Sequence, residues 1–193
     1  ILPKSEIIPG ETIKMGSSLK VYITKVDNSG KGPLILLSRK HYGFVKRLFE
    51  LEIPEVNEGI ILIYSVAREA GVRTKVAVYS ENPNVEAVGS CIGERGSRIN
   101  NIIKELNGEK IDVVEYDKDP AKFIENALSP ARNVTVVIGN EKEHDALVIV
   151  DDENLSLAIG RKGLNVRLAA RLTHYKLDVK TRSEASEMGI NIL

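Results

Sequence analysis

Two five-residue phrases carry the chemistry this sequence offers. They are Ile92-Gly93-Glu94-Arg95-Gly96 and Ile159-Gly160-Arg161-Lys162-Gly163, an I-G-x-x-G core met twice at a distance of 67 residues. Paired glycines let the main chain come close to an anion and turn its N–H groups toward it. A loop that opens a helix also sits at the positive end of the helix dipole. The chemistry implied is the gripping of a phosphate by backbone amides. A lone G-x-x-G is more often a plain turn between helices, but two copies in matching contexts point to a shared task. The match extends outward, since Lys110-Ile111-Asp112-Val113 and Lys176-Leu177-Asp178-Val179 follow the loops at equivalent places.

Other reactive side chains read more simply. Cys91 lies in an apolar stretch and is expected to be a small buried hydrophobe. His41, His144 and His174 fall in different elements without ligand spacing and receive no site. Asp151-Asp152-Glu153 stands where a helix begins, so capping is preferred to metal binding. A hydrolase would need a nucleophile, an oriented base and an oxyanion site, and the sequence offers no such set. No catalytic residue, metal site or cofactor is assigned.

The loops need helices on both sides. After the first loop Ile99, Ile102, Ile103 and Leu106 recur at i, i+3, i+4, i+7, and Asn107-Gly108 ends that helix with a left-handed glycine. After the second, Val166, Leu168, Ala169, Ala170 and Leu172 form a broader stripe. Short helices carrying Val85, Val88 and Ile92, and Leu155, Ala158 and Ile159, lead into the loops. Further upstream each copy has a helix and a hairpin. In the first these are Phe44, Val45, Leu48 and Leu51 on a helix, then strands near Ile60 to Ala67 and Lys75 to Tyr79 around Gly71. In the second, Asp119 caps a helix with Pro120 at its first position and Phe123, Ile124, Ala127 and Leu128 inward, until Ser129-Pro130 stops it. Strands Val134 to Ile138 and Ala146 to Val150 follow. Each copy thus reads helix, strand, strand, helix, helix, strand, and the near absence of a linker predicts that the two pack rigidly.

Composition limits the function classes. The 193 residues are 42% hydrophobic and 28% charged, ordinary for a folded chain of two or three small units. Lys plus Arg and Asp plus Glu both total 27, so any basic surface must be local. Residues 93–118 hold five basic side chains against six acidic, whereas residues 160–182 hold seven against one. The second copy should therefore supply most of the salt-sensitive attraction to phosphates. With 5% aromatic residues and no Trp, stacking platforms are disfavoured, and aliphatic side chains such as Ile92, Ile99, Ile159 and Val166 are expected to floor a groove for bases. One cysteine fits a reducing cytoplasm, and no apolar run approaches a membrane span. The chain opens at Ile1 in a strand-like phrase and is expected to be an internal fragment.

The I-G-x-x-G core between two helices, in this order of elements, resembles the prokaryotic-type (type II) KH domain. The phrases Ala67-Arg68-Glu69-Ala70-Gly71, Gly108-Glu109-Lys110-Ile111-Asp112-Val113 and Leu155-Ser156-Leu157-Ala158-Ile159-Gly160 are similar to the NusA family of bacterial transcription factors. The resemblance implies an α+β chain: the final strands of an OB-type barrel over residues 1–40 (Val21 to Val26 and Leu34 to Arg39), KH domains over 41–118 and 119–182, and a C-terminal tail over 183–193. It implies binding of single-stranded nascent RNA by Ile92, Gly93, Glu94, Arg95, Gly96, Ser97 and Arg98 in the first unit. In the second it implies Ile159, Gly160, Arg161, Lys162, Gly163, Asn165 and Arg167. It further implies a monomeric cytoplasmic factor acting on pausing, termination and antitermination. RNA polymerase would be its larger partner, mainly through regions outside this chain, alongside other antitermination factors. The nearest alternative is a ribosome-associated KH protein, which lacks a double KH unit behind a barrel. A DNA-binding helix-turn-helix is disfavoured by the strands flanking each helix pair.

Overall fold

The computed structural model describes residues 1–191. Its first forty residues supply an antiparallel pair, β1 (Tyr22–Asp27) and β2 (Leu34–Ser38). The first repeat follows as α1 (Tyr42–Glu52), the short α2 (Pro54–Asn57), β3 (Leu62–Glu69), β4 (Arg73–Tyr79), α3 (Ala87–Ile92), α4 (Ser97–Glu105) and β5 (Lys110–Glu115). The second is α5 (Pro120–Ala127), β6 (Thr135–Ile138), β7 (Asp145–Val150), α6 (Leu155–Ile159), α7 (Leu164–Thr173) and β8 (Lys176–Thr181), with α8 (Arg182–Glu187) behind it. The expected order of elements is therefore present twice.

Local chemistry accounts for the boundaries. His41 Nδ1 accepts from the Gly43 amide at 2.9 Å to open α1, and Asp119 accepts from the Ala121 amide at 3.1 Å ahead of Pro120 to open α5. Asn107 and Gly108 both take positive φ beyond α4, as the Asn-Gly signal requires. Each repeat has one three-stranded sheet, its middle strand antiparallel to the preceding strand and parallel to the last. Arg73 pairs with Lys110 as Asp145 pairs with Lys176, so the duplication holds residue by residue across the sheets.

Strand limits differ from the sequence reading in the first hairpin, where β3 runs to Glu69 and β4 starts at Arg73. Charged residues weaken a strand pattern in isolation. Here Arg73 and Lys75 are tolerated because both reach Asp112 on the paired strand, at 2.7 Å from Arg73 Nε and 2.9 Å from Lys75 Nζ. Leu51 lies on α1 but stays 69% exposed. The segment read as a tail begins with α8, held by a capping box between Thr181 and Glu184 and by buried Ala185. The T-x-x-E signature was legible in the sequence, and only residues 192 and 193 of that segment lie outside the described ones. The acidic run does not cap: Asp151 pairs with Arg182 at 2.5 Å instead.

One core cluster joins α1, α3 and α4 to one face of β3–β5 through Phe44, Phe49, Val76, Val78, Ile102 and Leu106. The other cluster contains α5, α6 and α7 together with Ala67, Ala77 and Val114 from the opposite face of that same first sheet. The first sheet is thus covered on both sides, and the second repeat supplies one of the covers. Ser65 Oγ donates to the Leu172 carbonyl at 2.8 Å across this contact. Rigid packing of the two repeats follows from a shared apolar core with no linker to relax it.

The first repeat also buries ions. Arg68 and Glu109 pair at 3.0 Å with side chains 2% and 0% exposed. Arg39 is buried, bonding Glu11 at 2.5 Å and Glu105 at 3.0 Å while its guanidinium lies over the Phe44 ring. That residue clamps the N-terminal segment onto α4.

Candidate nucleic-acid interface

Each Gly loop lies between a short helix and a longer one, and the two loops have one backbone. Gly93 has φ 76 and ψ 170, Arg95 φ 52 and ψ 29, Gly96 φ 75 and ψ 16. Gly160 has φ 76 and ψ 171, Lys162 φ 54 and ψ 29, Gly163 φ 71 and ψ 15. The first glycine occupies a region open essentially to glycine alone. Helical backbone at Glu94 or Arg161 followed by left-handed backbone at Arg95 or Lys162 is the arrangement in which successive N–H groups converge on an anion. The positive ends of α4 and α7 begin at the same spot.

Space as well as conformation selects the leading glycine. A Cβ on Gly160 would lie 2.7 Å from Asn165 Cβ and 2.8 Å from its amide nitrogen, whereas one on Gly163 meets nothing within 4 Å. Gly160→Ala is therefore expected to cost more stability than Gly163→Ala, which carries only the left-handed strain of about 1–2 kcal/mol. Paired urea titrations check the order, and equal costs would contradict the packing argument.

Sequence-derived site residues fall into three groups. Glu94, Arg95, Ser97, Arg161, Lys162 and Arg167 are exposed on or beside the loops, and Arg167 lies over the second loop with Nη1 donating to the Lys162 carbonyl at 3.2 Å. Ile92 is 37% exposed and Ile159 and Val166 are half-buried, which leaves aliphatic surface beside each loop. Ile99 instead belongs to the core. Asn165 departs from the expectation, and Arg98 is engaged by the protein itself. Asn165 is fully buried, its amide donating to Leu128, Leu157 and Ala158 carbonyls at 3.0–3.1 Å. It braces the loop from behind and presents nothing to a ligand. Arg98, at the equivalent place in the first repeat, is tied to Glu55 Oε2 at 2.7 Å and the Ser90 carbonyl at 2.8 Å.

A groove of about 640 Å³ beside the first loop is lined by Glu86, Gly89, Ser90, Gly93, Glu94, Ser97 and Arg98. Sequence reasoning missed Glu86, Gly89 and Ser90. The available signal was Gly89, an otherwise costly glycine within α3, where an added Cβ would strike the Glu86 carboxylate. The lining carries Glu86 and Glu94, in keeping with the acidic bias of this repeat. Cys91 is buried, and burial pushes its thiol up to about 12, out of reach of thiolate chemistry at neutral pH. No helix is long and apolar enough to cross a membrane among the described residues.

Comparison with known proteins gives two family matches. Residues 39–116 match the NusA-like first KH domain and residues 120–187 the NusA-like second KH domain. The chain is 52% identical over 190 residues to the transcription termination/antitermination protein NusA of Halalkalibacterium halodurans, covering 98% of this chain and 50% of that protein. The protein of the same name from Bacillus subtilis is 50% identical, with 98% and 51% covered. That of Mycobacterium tuberculosis is 47% identical over 180 residues, with 93% and 52% covered. The chain spans about half the length of these curated relatives. Among solved structures, the crystal structure of APE1850 matches with a TM-score of 0.51 at 22% identity, covering 73% of this chain and 97% of that one, which bears on the fold alone.

Proposed function

The chain belongs to the NusA-like family of paired KH domains, and from that premise we propose that it holds one continuous single strand of RNA in both Gly loops as part of a transcription termination/antitermination factor. The observation that carries this reading is the pair of loops with a common backbone, fixed by a shared core. A GxxG loop clamps about four nucleotides, so two rigidly related loops engage roughly eight or more. Exposed Arg161, Lys162 and Arg167 supply the attraction in the second loop. Exposed Glu94, Arg95 and Ser97 shape the first. Asn165 and Arg98 act as braces.

Family membership also supports placing residues 41–118 and 119–182 as the two KH domains and residues 1–40 as the end of an OB barrel. The β1–β2 pair presents exposed Ile23, Val26, Leu34 and Ile35, the apolar surface that further barrel strands would cover. Nascent RNA and RNA polymerase are the partners this reading implies, with antitermination factors joining on the transcript, in the cytoplasm and with a monomeric chain. Binding by the two loops is the activity this reading assigns.

Length dependence tests the reading. A twelve-nucleotide RNA is expected to bind at least about tenfold more tightly than a five-nucleotide RNA sharing its core, because the second loop then binds at high effective concentration. Fluorescence anisotropy with labelled strands measures it, and equal affinities would refute a continuous strand across both loops.

A further inference from the structure

The second loop is braced by a line of polar contacts that starts in the other repeat. Asn165 Nδ2 donates to the carbonyls of Leu157 at 3.1 Å and Ala158 at 3.0 Å, where α6 runs into the loop, and to that of Leu128 at 3.1 Å, where α5 ends. The next carbonyl along, that of Ser129, accepts from Lys75 Nζ at 2.8 Å. Lys75 lies on β4 of the first repeat, fully buried, and pairs with Asp112 of β5 at 2.9 Å. Contacts therefore run from the first sheet through the Leu128-Ser129 peptide to the two carbonyls that set where the second loop leaves its helix.

An ammonium at this place is costly. Desolvation of a buried cation amounts to several kcal/mol before its partners are counted, and burial pushes Lys75 down to about 8 even against the pull of Asp112. The strand itself does not require a charge here. By the shared sheet register the equivalent residue of the second repeat is Leu147, an apolar side chain in the same backbone setting. The difference between the two positions is the neighbour: β4 faces the end of α5, which offers the Ser129 carbonyl.

We infer that Lys75 is a positioning residue, which fixes the second Gly loop in distance and orientation against the first so that the two act on one strand as a preorganised clamp. This rests on the reading of the loops as a two-site RNA clamp. Lys75 touches no RNA; its effect passes through Ser129, Leu128 and Asn165. A side chain that merely stabilised the fold would weaken short and long ligands alike. One that sets the relation between two loops affects only a ligand long enough to use both, because preorganisation acts on the second, intramolecular contact.

The experiment compares wild type, Lys75→Met and Lys75→Arg, titrated with RNA strands of five and twelve nucleotides. Lys75→Met is expected to keep five-nucleotide affinity within about twofold and to lose about tenfold for twelve nucleotides, while Lys75→Arg, which still donates to Asp112 and Ser129, restores most of the loss. Unchanged twelve-nucleotide affinity in folded Lys75→Met overturns the inference, and so does an equal loss for both lengths. If Lys75→Met does not fold, Asp112→Asn is read by the same criterion, since it removes the carboxylate charge that holds the Lys75 ammonium and leaves only neutral acceptors around it. A wild type that itself binds both lengths equally refutes the two-loop reading and takes the inference with it.

Discussion

Arg161→Asp combined with Lys162→Asp abolishes most RNA binding, on the order of a hundredfold loss if two charge-assisted contacts of about 1.5 kcal/mol each disappear. Both residues are exposed in the second loop, and neither contributes a buried contact to the fold. The glycines and the brace from Asn165 are kept, but carboxylates now stand beside the place where the amides and the α7 dipole hold a phosphate. The corresponding change in the first loop, Glu94→Asp with Arg95→Asp, is expected to cost less. That loop loses one cation and already carries a carboxylate, and its surroundings hold five basic residues against six acidic, compared with seven against one around the second. One risk is specific to Lys162: its backbone is left-handed with φ 54, but aspartate tolerates that region better than most residues, so the loop should persist. Titration at several salt concentrations checks the mechanism, because each lost phosphate contact reduces the single-strand salt slope by roughly 0.7. Unchanged affinity in a folded second-loop variant would sink the clamp, and a larger loss from the first loop would reverse the ranking of the two.

Glu109→Ala should cause the largest loss of stability, about 3–5 kcal/mol, as expected when one member of a buried ion pair is removed. Its carboxylate is fully buried and accepts from Arg68 Nε and Nη2 at 3.0 Å each, from the Gly71 amide at 2.6 Å and from Thr74 Oγ1 at 2.7 Å. Removing it strands the Arg68 charge in the interior and leaves the turn between β3 and β4 without its central acceptor. Gly71 has φ +81, and a Cβ there would lie 3.0 Å from the Pro9 carbonyl, so the turn has little freedom to find a substitute. Glu50→Ala is the natural control. Its pair with Arg47, 2.7 Å long, is exposed on the surface of α1 and should be worth less than about 1 kcal/mol. Urea denaturation of both variants measures the contrast. A Glu109→Ala variant within 1 kcal/mol of wild type would show that the network is dispensable.

What sequence alone determined about this protein is what depends on a few neighbouring residues. Both Gly loops, the element order, the Asp119-Pro120 start and the Asn107-Gly108 stop were legible, because backbone conformation and capping are settled within a turn or two of chain. The charge contrast between the two repeats was legible too, since it requires only counting. Tertiary structure decided which side chains of the loop motif face outward. Asn165 reads as a surface amide at the start of a helix, yet it bonds Leu128, 37 residues away, and is lost to any ligand. Arg98 reads as a free cation, yet Glu55, 43 residues away, holds it. Lys75 reads as the charged edge of a strand, yet it reaches Ser129 across 54 residues. The physical reason is common to all three. Local propensity sets where a backbone turns, whereas exposure and pairing depend on which distant surface arrives to cover it, and here the cover on the first sheet is the second repeat itself.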